Sequence, residues 1–246
     1  MDEQEKHGGF IQFPLQLLAT DWKLEEVINC AIWWSAHLLV KKWEEEENLL
    51  PIEQDAEDLY KRAARTVGFG WRGDNDVASC QSAVQRVQNK LKQLLRNEEP
   101  SKIFVRLPTD YAFEIKDGQW KEPEARVYLA LACIIGVQKS YARAGWPLIA
   151  RRAAGIARAG QKSNVKEMTR KQVEYQLTKL CERDLFACFT YNRGVRFWSF
   201  PKKCSREQIA RSVLSGTIAR KKRAAEAESD AELTARIMAE SLKPKA

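Results

Sequence analysis

The chain has few of the residues on which most enzyme sites are built. Only two histidines, His7 and His37, occur in its 246 residues, and its six cysteines form no Cys-x-x-Cys pair. Zinc centres and Ser-His-Asp triads need such residues in defined sets, so neither is expected. The sequence also lacks a Gly-x-x-x-x-Gly-Lys-Ser/Thr phosphate loop. We therefore predict a protein that is not an enzyme and that holds no metal and no cofactor.

Long apolar runs are missing too, and the first residues do not predict a leader peptide. The run Cys30–Trp34 is interrupted at Ser35 and falls short of the ~20 residues that a membrane span needs. The first residues, Met1–Glu5, are acidic and lack the apolar core of a signal peptide. The cysteines are scattered among apolar neighbours, which is typical of reduced thiols in a cytosolic core. We expect a cytoplasmic protein with no membrane contact.

Charge is abundant but unevenly distributed along the chain. The net charge is +8, yet residues 1–60 carry four basic and fourteen acidic side chains, a net of −10, which leaves 37 basic and 19 acidic side chains for the remainder. Between Lys139 and Lys171 there are nine Lys or Arg residues and one acid, Glu167. Such a concentration indicates a polyanionic partner, and we predict that this partner is nucleic acid.

A weak internal repeat organises the sequence. The pentapeptide Phe10–Pro14 is echoed by Phe104–Pro108, about 90 residues later. Three further echoes follow in the same order. An apolar helical stretch comes first (Leu24–Val40 and Glu124–Val137), and then a small-residue basic helix that ends at glycine (Arg62–Gly70 and Arg152–Gly160). Each half closes with an amphipathic helix, whose apolar residues are Val87, Leu91 and Leu94 in the first half and Val173, Leu177 and Leu180 in the second. Four echoes in one order favour duplication of a single module.

The second half ends in the clearest local pattern. Two aromatic runs, Phe186–Tyr191 and Val195–Phe200, flank Asn192-Arg193-Gly194, and this combination predicts a β-hairpin. The first half has no equally clear hairpin. A strand at Lys102–Leu107 paired with Tyr111–Ile115 is one alternative there, and a second-domain strand at Phe104 is the other.

The segment from Trp146 to Phe200 resembles the winged helix-turn-helix family. Its order is a helix, a basic turn, an amphipathic helix over Met168–Leu180 opened by Thr169, the stretch Arg183–Phe186, and then the hairpin. The match covers about 55 residues, and about 95 with the leading Phe104–Val137 segment. The resemblance implies that the exposed face of the Thr169 helix enters the major groove of DNA, with the hairpin tip beside the backbone or minor groove.

The site residues predicted on this basis form three groups. Around and on the second recognition helix they are Arg151, Arg152, Arg158, Lys162, Thr169, Arg170, Lys171, Gln172, Tyr175 and Lys179. On the wing they are Asn192, Arg193 and Arg196. In the first half, on a weaker candidate helix over about Ser79–Arg96, they are Gln85, Arg86, Asn89 and Lys90.

Two tandem winged helices, each led by a strand ending in proline, resemble plasmid and phage replication initiators. We therefore predict a mainly α fold with small β-hairpin wings, in which 8–103 is a first, acidic domain, 104–201 a second, basic, DNA-reading domain, and 202–246 a helical or flexible tail. The resemblance implies a sequence-specific binder of double-stranded DNA from a prokaryotic mobile element, associated with the nucleoid or a plasmid. The first domain would supply a homodimer or partner surface that includes Trp33 and Trp34.

Two other functions fit the same sequence. A transcriptional repressor of this architecture would differ little in its residues. A tandem winged-helix subunit of a larger nucleoprotein complex is the other. As a condensin-like adaptor it is favoured by the acidic first half and disfavoured by the basic second half, and as part of a defence complex it would bind RNA or DNA backbone through the same surface.

Overall fold

This computed structural model describes residues 9–46, 62–63, 81–82, 84–86, 89, 104–136, 140–157, 161 and 163–220. The chain is mainly helical with two small antiparallel sheets, which confirms the predicted mainly α fold with small β elements. Its elements are β1 (Phe10–Pro14), a 3-10 helix (Leu15–Ala19), α1 (Leu24–Glu46), β2 (Phe104–Pro108), α2 (Thr109–Lys116), α3 (Glu122–Ile135), β3 (Ala142–Arg143), α4 (Trp146–Ala153), α5 (Arg170–Glu182), β4 (Ala187–Tyr191), β5 (Val195–Ser199) and α6 over 206–220. No helix within these ranges is long and apolar enough to cross a bilayer.

The two repeated pentapeptides pair with each other. β1 and β2 run antiparallel, and Gln12, the middle residue of one pentapeptide, lies opposite Arg106, the middle residue of the other. Strand alternation buries Ile11 and Leu107 completely on one face. The equivalent phenylalanines on the other face, Phe10 and Phe104, are 41% and 40% exposed. The two pentapeptides therefore occupy matching environments about a local pseudo-twofold axis.

The same order of elements follows each strand. Pro14 and Pro108 end the strands, a short helix comes next, and a long helix follows: α1 in the first half and α3 in the second. This part of the predicted repeat is confirmed in outline. Val87, Leu91 and Leu94, and most of 62–70, lie outside the described residues. The division into domains 8–103 and 104–201 stays a prediction. In that division, the β1–β2 sheet takes one strand from each domain.

One of the two alternatives for the first half and one predicted helix are wrong. Tyr111–Ile115 is not a strand but part of α2, because Thr109, Ala112 and Ile115 recur at helical spacing and are buried together. The basic helix predicted to end at Gly160 ends at Ala153 instead. Gly155 there has a φ of +79°, and the hydrogen bonds Ile156 N to Arg151 O (3.0 Å) and Gly155 N to Arg152 O (2.9 Å) close the helix as a Schellman motif.

The 3-10 helix Leu15–Ala19 docks onto the second half of the chain. Arg126 of α3 is buried, and its Nη1 donates to the backbone oxygens of Leu18 (2.7 Å) and Ala153 (3.4 Å). Asn164 N donates to Ala19 O at 3.1 Å. Gly155 lies so close that a Cβ there would be 2.2 Å from Ala19 N. This first-half segment is therefore built into the region between α4 and α5.

The predicted hairpin is confirmed. β4 and β5 pair across a 3-10 turn at Asn192–Gly194, and β3 adds to β5, giving the order β3-β5-β4. Trp198 is buried under the sheet and donates from Nε1 to Ala144 O at 3.0 Å. On the other side, Ile209 and Val213 of α6 pack against Phe189 and Phe197. The predicted helical tail is thus helical and packed over 206–220, and residues 221–246 lie outside the described residues.

Candidate nucleic-acid interface

The N-terminus of α5 is fixed by the predicted cap, Thr169. Its hydroxyl accepts from Gln172 N (3.4 Å), while Gln172 Oε1 accepts from Thr169 N (2.9 Å) and from Thr169 Oγ1 (3.0 Å). This reciprocal arrangement is a capping box. A glutamine that binds adenine in the major groove uses both ends of its amide, and here the oxygen of Gln172 is engaged by the helix terminus. The contacts that Gln172 makes in the structure therefore stabilise the N-terminus of α5.

The C-terminus of α5 is anchored by the Arg183 side chain. The Arg183 guanidinium lies 2.5 Å from Glu124 Oε1, 3.7 Å from Glu114 Oε2 and 4.2 Å from the centre of the Trp120 ring. Trp120 Nε1 donates to Glu114 at 2.6 Å. Asp184, with φ +54°, then ends the helix. Because α2, α3 and α5 meet at this cluster, α5 is held rigidly with respect to the core.

Burial divides α5 into two faces. Val173, Leu177 and Leu180 are buried, as their spacing predicts, and Gln176 is buried with them. The outer face carries two rows of residues spaced four apart: Arg170, Glu174 and Thr178 in one row, and Lys171, Tyr175 and Lys179 in the other. Four of the five predicted helix residues, Arg170, Lys171, Gln172 and Tyr175, are exposed, and Lys179 is half-buried. We call this two-row surface the α5 face.

Comparison of the chain with protein-family models, curated proteins and solved structures finds no match.

One row of the α5 face is linked to the hairpin. Glu174 Oε1 lies 3.1 Å from Arg170 Nε and 3.5 Å from Arg196 Nη2. Arg196, predicted on the wing, thus lies in β5 with its guanidinium directed to α5. Glu174 is the residue that the sequence analysis missed, since an acid within a basic helix gives no signal of its partner on a strand 22 residues away.

The other row is aromatic and cationic. Tyr175 is 58% exposed, and Lys179 Nζ lies 4.7 Å from the centre of its ring. Lys171 is exposed one turn before it. An aromatic ring and two ammonium groups on one helical face can contact bases and phosphates together.

The flanking basic residues differ in how accessible they are. Arg151 is exposed near the C-terminus of α4. Arg152 is half-buried and its guanidinium donates to Ala157 O, so it stabilises the connection after α4. On the wing, Asn192 is exposed and Arg193 belongs to the 3-10 turn. Arg158 and Lys162 lie outside the described residues.

The predicted first-half residues contact protein groups. Arg86 Nη1 lies 3.4 Å from Glu26 Oε1 at the start of α1, and Gln85 donates to Asn89 Oδ1 at 2.9 Å. All three side chains are exposed, and Lys90 lies outside the described residues. Trp33, predicted on a first-domain surface, is instead buried in the core, whereas Trp34 is half-buried.

Two cysteines, Cys181 of α5 and Cys188 of β4, have thiols with a raised pKa. The described cysteines, namely Cys30, Cys133, Cys181, Cys188 and Cys204, are free thiols, as predicted. Burial, together with the neighbouring Cys188, raises the pKa of Cys181 to about 11, and burial also raises the pKa of Cys188. A thiol with a raised pKa is protonated at neutral pH and is a poor nucleophile.

Proposed function

We propose that this protein binds double-stranded DNA sequence-specifically, with the α5 face in the major groove. The observation that carries the proposal is the α5 face itself, a capped and anchored helix that presents Arg170, Lys171, Tyr175 and Lys179 on one side. An anchored helix with exposed Arg and Lys side chains can enter the major groove and contact guanine edges and phosphates. The concentration of basic residues over Lys139–Lys171 supports the same partner.

We further propose that residues 104–201 form a winged helix-turn-helix module. The order α3, β3, α4, α5 and the β4–β5 hairpin supports this, since the hairpin follows α5 directly and contacts it through Arg196 and Glu174. The repeated strand, short helix and long helix of the first half support a tandem arrangement. On that basis we propose a role like that of plasmid or phage replication initiators.

The α5 assignment is tested by removing single cations from its face. We expect Lys171→Ala to weaken binding to any duplex about 3- to 10-fold at low salt, because one phosphate contact is lost. The matched control is Lys23→Ala, which removes the same charge from an exposed position before α1. Dissociation constants from fluorescence anisotropy measure both variants. Equal losses for the two variants would mean that α5 is not the contacting helix.

Initiation is tested separately from DNA binding. A replicon without its own initiator, carrying the duplex sites that the protein selects, should be maintained only when this chain is supplied. Binding without maintenance would favour the repressor function, and absence of DNA binding would favour the adaptor function.

A further inference from the structure

An acidic residue lies in the middle of the basic α5 face. The Glu174 side chain is 33% exposed and lies between the guanidinium groups of Arg170 and Arg196. Both contacts use the same carboxylate oxygen, Oε1, which leaves Oε2 as an acceptor for another donor. The carboxylate is therefore held in place by two cations from two different elements, α5 and β5.

A carboxylate at this position opposes simple attraction to DNA. It neutralises part of the charge of its neighbours and repels nearby phosphates. A surface that contacted only the DNA backbone would therefore bind more tightly with a neutral residue at this position. In the major groove, however, a glutamate accepts a hydrogen bond from the N4 amino group of cytosine. An acid that weakens binding to most sequences and strengthens it to a few increases specificity.

We propose that Glu174 is a specificity-determining residue that accepts a hydrogen bond from a cytosine in the target site. The inference rests on the proposed DNA-binding function and names a base pair that the site must contain. Arg170 and Arg196 orient the carboxylate before DNA is bound, which reduces the entropy lost on binding. The same two arginines contact the neighbouring guanine or phosphates.

The test compares full-length variants on duplexes selected from a random library. Glu174→Gln removes the charge and keeps an amide oxygen toward the arginines. Glu174→Asp keeps the charge but shortens the reach toward the base. The matched control is Glu182→Gln, which removes the same charge from an exposed position on α5, about 12 Å along the helix axis. Thermal melting of each variant verifies that it is folded.

We expect the wild type to select a cytosine at one fixed position and to lose about tenfold in affinity when that cytosine is replaced. Glu174→Gln should bind random duplex more tightly and lose the cytosine preference, and Glu174→Asp should lose the preference without binding random duplex more tightly. Glu182→Gln should keep the preference. If the wild type binds DNA but the selected sequences of Glu174→Gln match those of the wild type, the inference is wrong and the proposed function stands. If the wild type shows no salt-sensitive binding to DNA, the inference and the proposed function are both wrong.

Discussion

Replacement of Gly155 by alanine is expected to lower the free energy of unfolding by about 2–5 kcal/mol. Its φ of +79° is unfavourable for any residue with a Cβ, which costs about 1–2 kcal/mol. The added Cβ would also lie 2.2 Å from Ala19 N and 2.7 Å from Leu18 C, and forcing backbone apart in a packed region costs about a further 1–3 kcal/mol. Urea denaturation followed by circular dichroism measures the loss.

Gly118→Ala is the matched control for Gly155→Ala. Gly118 has a φ of +74°, and no atom lies within 4 Å of a Cβ built there. Only the conformational cost of about 1–2 kcal/mol remains. Equal losses in the two variants would show that the docked 3-10 helix is not tightly held against Gly155.

Replacement of Arg126 by methionine is expected to lower the free energy of unfolding by about 2–4 kcal/mol. The side chain is buried, and its loss leaves the backbone oxygens of Leu18 and Ala153 without their charged donor. Methionine retains most of the apolar stem, so the change reports mainly on the hydrogen bonds. The midpoint of urea denaturation provides the measurement.

Glu122→Gln separates these hydrogen bonds from the ion pair that Arg126 also makes. Glu122 Oε1 lies 2.7 Å from Arg126 Nε, but its side chain is 54% exposed, and such pairs contribute less than about 1 kcal/mol. A loss as large as that of Arg126→Met would assign the stabilisation to the ion pair.

The features that the sequence predicted are local ones. Thr169 caps the helix that begins at the next residue, and Asn192–Gly194 turns a hairpin whose strands flank it directly. In both cases the interacting residues are neighbours along the chain, so the sequence pattern alone predicts the local structure. The burial of Val173, Leu177 and Leu180 likewise follows from helical spacing alone.

The features that it missed join distant segments. The sequence predicts that the pentapeptides Phe10–Pro14 and Phe104–Pro108 are leading strands, but it does not indicate that they pair with each other in one sheet. The sequence predicts Gly155 inside a helix, whereas it follows the end of α4 and lies against Ala19, a residue 136 positions away in the chain. The pairing of Glu174 with Arg196 depends on where β5 lies beside α5. Each depends on tertiary packing, which composition and periodicity do not encode.

The central claim, that the α5 face binds DNA, is tested most directly by the salt dependence of duplex binding. If the protein neutralises about six phosphates, the logarithm of the association constant should fall against the logarithm of the salt concentration with a slope of about −5. Replacing Arg170, Lys171 and Lys179 together by alanine should reduce the slope to about −3, since the three contacts that remain contribute about −0.9 each. A wild-type slope shallower than about −1, with no duplex bound at low salt, would contradict the account.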